Sequence, residues 1–188
     1  ALNNEGIRIL KRNELTDRQA SWLRRYFQRE IMPVLSPIGL DPAHPFPNVQ
    51  NKGLNLVVQL SGEDAFARDS GLVILPVPRC LPRLIQLPTD LTGSPHHFVM
   101  LSSAIHGNVD LIFRGMSVKG CHQFRVTRNS DMWVDEDEVE DLLSAIKGEL
   151  HGRNYGAAVR LEVADNCSEG AIRLLLEHHG LNESDMYQ

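Results

Sequence analysis

Apolar and polar positions alternate in several short stretches of this chain and recur every three to four residues in a few longer ones. Phe124 and Val126 alternate with Arg125 and Thr127, the period-2 pattern of a strand with one buried face, running on through Arg128, Asn129, Ser130 and Asp131. Four acids follow, Asp135 to Glu138. Val139, Leu142, Leu143, Ile146 and Leu150 then mark the apolar stripe of an amphipathic helix. Its acids fall at the positive end of the helix dipole, and Lys147 and His151 fall toward the negative end.

The same patterns predict the other elements. Ile7 and Ile9 share one side of a short strand over residues 6–10. Thr16 and Gln19 form a capping box, with Leu15 and Ala20 at the staple positions. Ala20, Leu23, Phe27 and Ile31 make the buried stripe of that helix, flanked by Trp22 and Tyr26 and ended by Pro33. Strands are expected over 54–60, 71–75, 84–87 and 97–101, with a turn region over 89–95. Ser102 is placed to cap a helix reaching Ile112. Ala157, Val159, Leu161 and Val163 alternate with Arg160 and Glu162 as a late strand. Ser168 caps a last helix that ends at His178, His179 and Gly180. Helices and strands do not alternate strictly, which predicts an α+β fold with a mixed, mostly antiparallel sheet packed by helices.

One stretch resists both patterns. Pro33, Pro37, Pro42, Pro45 and Pro47 exclude helix and central strand between residues 33 and 52. A structureless loop of that length is unusual in a compact domain unless it binds something or packs on another part of the protein.

Composition narrows the class. The chain has 188 residues, 42% hydrophobic and 23% charged, as in a folded globular protein. This length fits one domain over residues 1–188, with room for two small ones. The net charge of −5 argues against nucleic acid as a partner of the whole surface. Cys80, Cys121 and Cys167 are far apart and odd in number, which fits reduced thiols and a cytoplasmic location. No apolar run approaches the roughly 18 residues that span a membrane, and no signal peptide is read at the start. The first residue is not Met and the last residues carry no terminal cap, as expected of a domain taken from a longer protein.

Candidate chemistry is sparse. Arg125 and Arg128 either meet phosphate through their guanidinium forks or sit as strand residues paired with nearby acids. Arg18, Arg25 and Arg29 line one helix face, which Asp17 and Glu30 dilute. His44 lacks a carboxylate or nucleophile at a supporting spacing. His96-His97 and His178-His179 each resemble half a metal site, and the acids at 135–138 lack the spacing of a calcium loop, so no metal ligand is assigned. The phosphate-binding P-loop, the dinucleotide fingerprint, the nucleophile elbow, the zinc-protease motif and the protein-kinase set are all missing. These residues by themselves describe an α+β module with no visible catalytic constellation. A stand-alone polyanion- or nucleotide-binding module, using Arg18, Arg25, Arg29, Arg125 and Arg128, is one reading; a hydrolase built on His44 is a weaker one.

Several ordered pieces add a resemblance. Pro33-Val34-Leu35-Ser36-Pro37, the run from Asp41 to Pro47, and Leu54-Asn55-Leu56 resemble the middle domain of bacterial polyphosphate kinase. So do the stretch from Val77 to Arg83, the run from Phe124 to Asp131 with the acids and Asp141-Leu142-Leu143 after it, and Ala158 to Val163. The resemblance implies an enzyme that reversibly moves the terminal phosphate of ATP onto inorganic polyphosphate, with Mg2+ and through a phosphohistidine. It implies an N-terminal helical domain before this segment and two phospholipase-D-like domains after it, which carry the catalytic residues. The segment itself is then structural and dimerising, with no catalytic residue and no cofactor of its own. The parent enzyme is expected as a homodimer or homotetramer in the cytoplasm, with peripheral association at the inner membrane. Arg125 and Arg128 match the family's Phe-Arg-Val-Thr-Arg motif and are the two residues put toward polyphosphate.

Overall fold

The computed structural model describes residues 2–41, 45–62, 70–129 and 156–188. His44, the acids at 135–138 and the helix expected over 139–150 lie outside the described residues. The chain forms two compact units, each assembled from separated stretches.

The first unit contains residues 1–36, 60–70 and 77–119. Its sheet has three short strands, β1 (Arg8–Leu10), β6 (His97–Met100) and β5 (Leu84–Gln86). Here β6 lies in the middle, parallel to β1 and antiparallel to β5. Helix α1 (Asp17–Tyr26) starts at the expected capping box: the Thr16 hydroxyl accepts from Gln19 N–H, and Gln19 Oε1 accepts from Thr16 N–H. The helix widens into a π turn over Phe27–Ile31.

The buried positions of this helix are Gln19, Leu23, Phe27 and Ile31, four residues apart, and Ala20 is exposed. The wider i→i+5 turn rotates Ile31 back toward the face of Leu23 and Phe27. Gln19 replaces Ala20 inside with both ends of its amide engaged: Oε1 in the capping box, and Nε2 donating to Leu91 O at 3.1 Å. Leu91 belongs to the short helix α2 (Thr89–Thr92), in the stretch expected as a turn. Helix α3 (Leu101–Gly107) packs against β6 and the π turn. Ser102 lies inside α3 and is buried; the cap position is Met100, which makes no side-chain capping bond. In β1 the inward residue is Leu10, while Ile9 is exposed.

The second unit contains residues 37–59, 71–76 and 120–188. Its sheet has six strands in the order β2, β4, β3, β7, β8, β9. These are β2 (Ile38–Gly39), β3 (Leu54–Ser61), β4 (Ser70–Pro76), β7 (Ser117–Arg128), β8 (Ala158–Val163) and β9 (Met186–Tyr187). The pairs β2–β4 and β7–β8 are antiparallel, and β8–β9 is parallel, so the sheet is mixed. Helix α4 (Glu169–His179) packs on β8. Its core joins Phe124 and Val126 of β7 and Leu161 and Val163 of β8 to Leu175 and Leu176 of α4. Ser168 caps α4 by accepting from Ala171 N–H, and Gly180 ends it at φ 63°, the left-handed position that favours glycine.

Two further features differ from the sequence reading. Strand β7 begins at Ser117, seven residues before Phe124, because Gly120 and His122 interrupt the alternation without interrupting the strand. The proline stretch is not structureless over its described residues. Ile38 and Gly39 pair with β4, Leu40 N–H donates to Leu72 O, Val49 is buried in the core, and Lys52 N–H donates to Val126 O. The loop packs on its own sheet.

Candidate functional site

Arg125 and Arg128 leave opposite faces of β7. Burial along the strand alternates, with Phe124, Val126 and Arg128 inward and Arg125 exposed. The two guanidinium groups therefore do not converge on one anion from a common face.

Arg125 lies directly across from Glu162 of β8. Its Nε and Nη2 donate to the two carboxylate oxygens, each at 2.7 Å, which is the bidentate fork geometry. The hydrogen bond from Arg125 holds the Glu162 carboxyl below the usual carboxylate range, and the same bond raises the Arg125 guanidinium. Arg160 also reaches Glu162, with Nη2 at 3.3 Å from Oε1, and lies 3.9 Å over the ring of Tyr187. One carboxylate thus serves two arginines on the outer part of this face, and Arg160 is further held by an aromatic ring.

Arg128 is built into the other face. Its Nε donates to Val49 O at 3.2 Å and its Nη1 to Gly156 O at 2.9 Å, while its backbone N–H donates to the Asn51 side chain. It lines a cleft of about 420 Å³ with Phe46, Asn48, Ala158, His178 and His179. Phe46, from the proline stretch, stacks on His178 with centroids 4.6 Å apart and meets His179 edge-on at 5.3 Å. The Nε2 of His179 is buried with no hydrogen-bond partner.

At the C-terminal end of α4 the dipole favours a charged imidazole. Burial outweighs it: together with the nearby charges of Arg128 and His178, desolvation lowers His179 to about 4. His179 is therefore a neutral ring at pH 7. The signal that could have tied His178 and His179 to the loop is Phe46, an aromatic residue set among prolines.

Other sequence candidates stay apart. Arg18, Arg25 and Arg29 are exposed, and Arg29 pairs with Glu30 beside it at 2.7 Å. His97 holds a buried Nδ1 without a partner, and His96 is exposed. Among the described residues, no three His, Cys, Asp or Glu side chains gather as a metal set. No described helix is long and apolar enough to cross a membrane.

The chain's relatives agree on one family. The polyphosphate kinase middle domain matches residues 18–188. Polyphosphate kinase from Pseudomonas aeruginosa is 53% identical over 182 residues, which cover 97% of this chain and 26% of that protein. Polyphosphate kinase from Pseudomonas syringae pv. tomato is 52% identical over 187 residues, covering 100% of this chain and 25% of that one. The crystal structure of polyphosphate kinase from Porphyromonas gingivalis shares the fold, with a TM-score of 0.73 at 22% identity over 99% of this chain and 26% of that one. This chain spans about a quarter of the length of the curated relatives it matches. On a match that runs from residue 18 to residue 188 and takes in parts of both compact units, the chain belongs to the polyphosphate kinase middle-domain family.

Proposed function

We propose that this chain is the middle segment of an enzyme that reversibly transfers the terminal phosphate of ATP to inorganic polyphosphate. The observation that carries this reading is the match to the polyphosphate kinase middle domain over residues 18–188. In this reading the phosphohistidine and the Mg2+ that accompanies ATP belong to parts of the enzyme outside this chain. The segment supplies a rigid frame and a contact between subunits of a homodimer or homotetramer. Phosphoryl transfer is compatible with such a division, because it depends mostly on positioning and on cationic clamps. The expected setting is the cytoplasm, with the parent enzyme peripheral at the inner membrane.

Arg125 and Arg128 are the residues of this reading that would meet polyphosphate. Their opposite faces make them two separate contacts, one shared with Glu162 and one beside the His178-His179 cleft. The test compares phosphate transfer from ATP to polyphosphate by the protein of the full reading frame and by this 188-residue chain. Activity in the longer protein and none in the chain is expected. Activity in the chain alone would overturn the non-catalytic role, and two inert proteins would overturn the kinase assignment.

A further inference from the structure

Within the first unit, a groove of about 240 Å³ opens between α1 and α3. Arg12, Arg24, Ser21 and Ser103 line it, and Leu15 and Leu23 supply its apolar lining. Both guanidinium groups are held by one turn of chain at the end of α3. Arg12 Nη1 donates to His106 Nδ1 at 3.0 Å. Arg24 donates to Asn108 Oδ1 at 3.4 Å and to Asp110 Oδ2 at 2.9 Å.

The two arginines are not equivalent. Arg24 has a carboxylate partner in Asp110. Arg12 meets the ring of His106 in place of a carboxylate. Among the described residues no carboxylate pairs with Arg12. The surrounding chain is basic as well. Residues 11–26 hold five basic side chains, Lys11, Arg12, Arg18, Arg24 and Arg25, against Glu14 and Asp17, in a protein whose net charge is −5. A concave, locally positive site of this kind concentrates anions.

Arg12 is also held in place by shape. Its stem lies against Gly107, where an added Cβ would come within 3.0 Å of Arg12 Cδ. The glycine leaves room for the arginine stem to lie against the end of α3.

We propose that this groove binds a phosphoryl oxyanion, with the Arg12 and Arg24 guanidinium groups as the charged donors and the Ser21 and Ser103 hydroxyls as neutral ones. The bidentate fit of guanidinium to phosphate oxygens and the supply of hydroxyl donors set the chemical class. The apolar lining beside the charged rim leaves space for a chain of phosphates or for the phosphate end of a larger molecule. The site rests on charge and geometry in this unit alone, so it stands or falls separately from the proposed kinase role.

The test titrates inorganic tripolyphosphate, and ATP in parallel, into the 188-residue chain at low ionic strength, reading affinity by calorimetry and location by amide chemical shifts. Saturable binding with shifts at Arg12, Ser21 and Ser103 is expected. Arg12→Gln should weaken it at least fivefold, and Arg173→Gln, an exposed arginine of the second unit, should leave it unchanged. Gly107→Ala keeps every charge but crowds the Arg12 stem, so weaker binding is expected; that result separates a shaped site from a merely basic surface. Equal affinity for tripolyphosphate and ATP marks the phosphate chain as the recognised part and supports the proposal. Binding of ATP with tripolyphosphate silent would overturn it. So would the absence of binding, or affinities in Arg12→Gln and Gly107→Ala equal to that of the parent chain. A phosphate-transferring full-length enzyme whose middle segment fails this titration would keep the kinase reading and remove the groove.

Discussion

Arg125 of β7 and Glu162 of β8 face each other across the sheet and share two hydrogen bonds of 2.7 Å. The side chains keep 47% and 25% of their surface, so water screens much of the attraction. A double-mutant cycle with Arg125→Ala and Glu162→Ala should give a coupling of about 0.5–1 kcal/mol, the upper part of the range for exposed pairs. Chemical denaturation of the four proteins measures it, and a coupling near zero would assign the pair no net role in stability.

The same pair makes an acid-side prediction. Glu162 is depressed in the folded protein, so its contribution is present above its unfolded value near 4.5 and is lost as pH falls through the folded value. Glu162→Gln should flatten the stability curve below about pH 4.5 and leave its shape near pH 7 unchanged. It also leaves Arg125 and Arg160 as neighbouring cations, so the variant should gain stability as salt rises.

Gln19 does two jobs, and variants separate them. Thr16→Ala removes one capping bond and should cost about 1 kcal/mol. Gln19→Ala removes the reciprocal cap and leaves Leu91 O without its donor, which should cost roughly 2 kcal/mol. Gln19→Glu keeps the cap acceptor but turns a carboxylate toward that carbonyl. It should therefore fall below the parent, although Glu suits a capping box. Equal midpoints for Gln19→Glu and the parent in urea would mean that the bond to Leu91 contributes nothing.

Leu161 and Val159 occupy the same side of β8 by sequence, two residues apart. Leu161 is fully buried opposite Val126, and Val159 is 49% exposed. Leu161→Ala should destabilise by about 2–5 kcal/mol through a core cavity, and Val159→Ala by less than about 0.5 kcal/mol. Comparable losses from the two would contradict the described packing.

That contrast shows where the sequence was legible. Period 2 found β8 and its inward side, but not the shift of register between Thr127 and Arg128, which passes over Val159 while Ala158 still packs against the core. The boxes at Thr16 and Ser168 were legible because capping is local chemistry. Gln19 was not legible as a core residue, since its burial depends on Leu91, which lies 72 positions away. The two-residue strands β2 and β9 carry too few side chains for any period to show. Arg125 and Arg128 were legible as a pair of cations three residues apart. Their separation onto two faces follows from the strand itself, whereas Glu162, Val49 and Gly156 as their partners come from long-range pairing. Arg12 and Arg24 sit on different elements, and only the turn at 106–110 brings them to one groove.

His179 gives the widest pH window. Its folded value is about 4 against an ordinary value of 6.5, because burial and the charge of Arg128 disfavour the imidazolium. The sign follows from proton counting. Between these two values the unfolded chain binds a proton at this site that the folded chain refuses, so acid favours unfolding. The contribution of neutral His179 is fully present above about pH 6.5, falls as pH drops toward 4, and changes no further below that. Its partial exposure keeps the energy below what the whole shift would give. The imidazole should titrate near 4 by NMR while Phe46 still rests on it. His179→Gln should remove the part of the stability loss between pH 6.5 and 4 that belongs to this ring, leaving the Glu162 part below pH 4.5 in place. A His179 titration at its ordinary value would mean that the ring stands in water and that Phe46 does not hold it against the cleft.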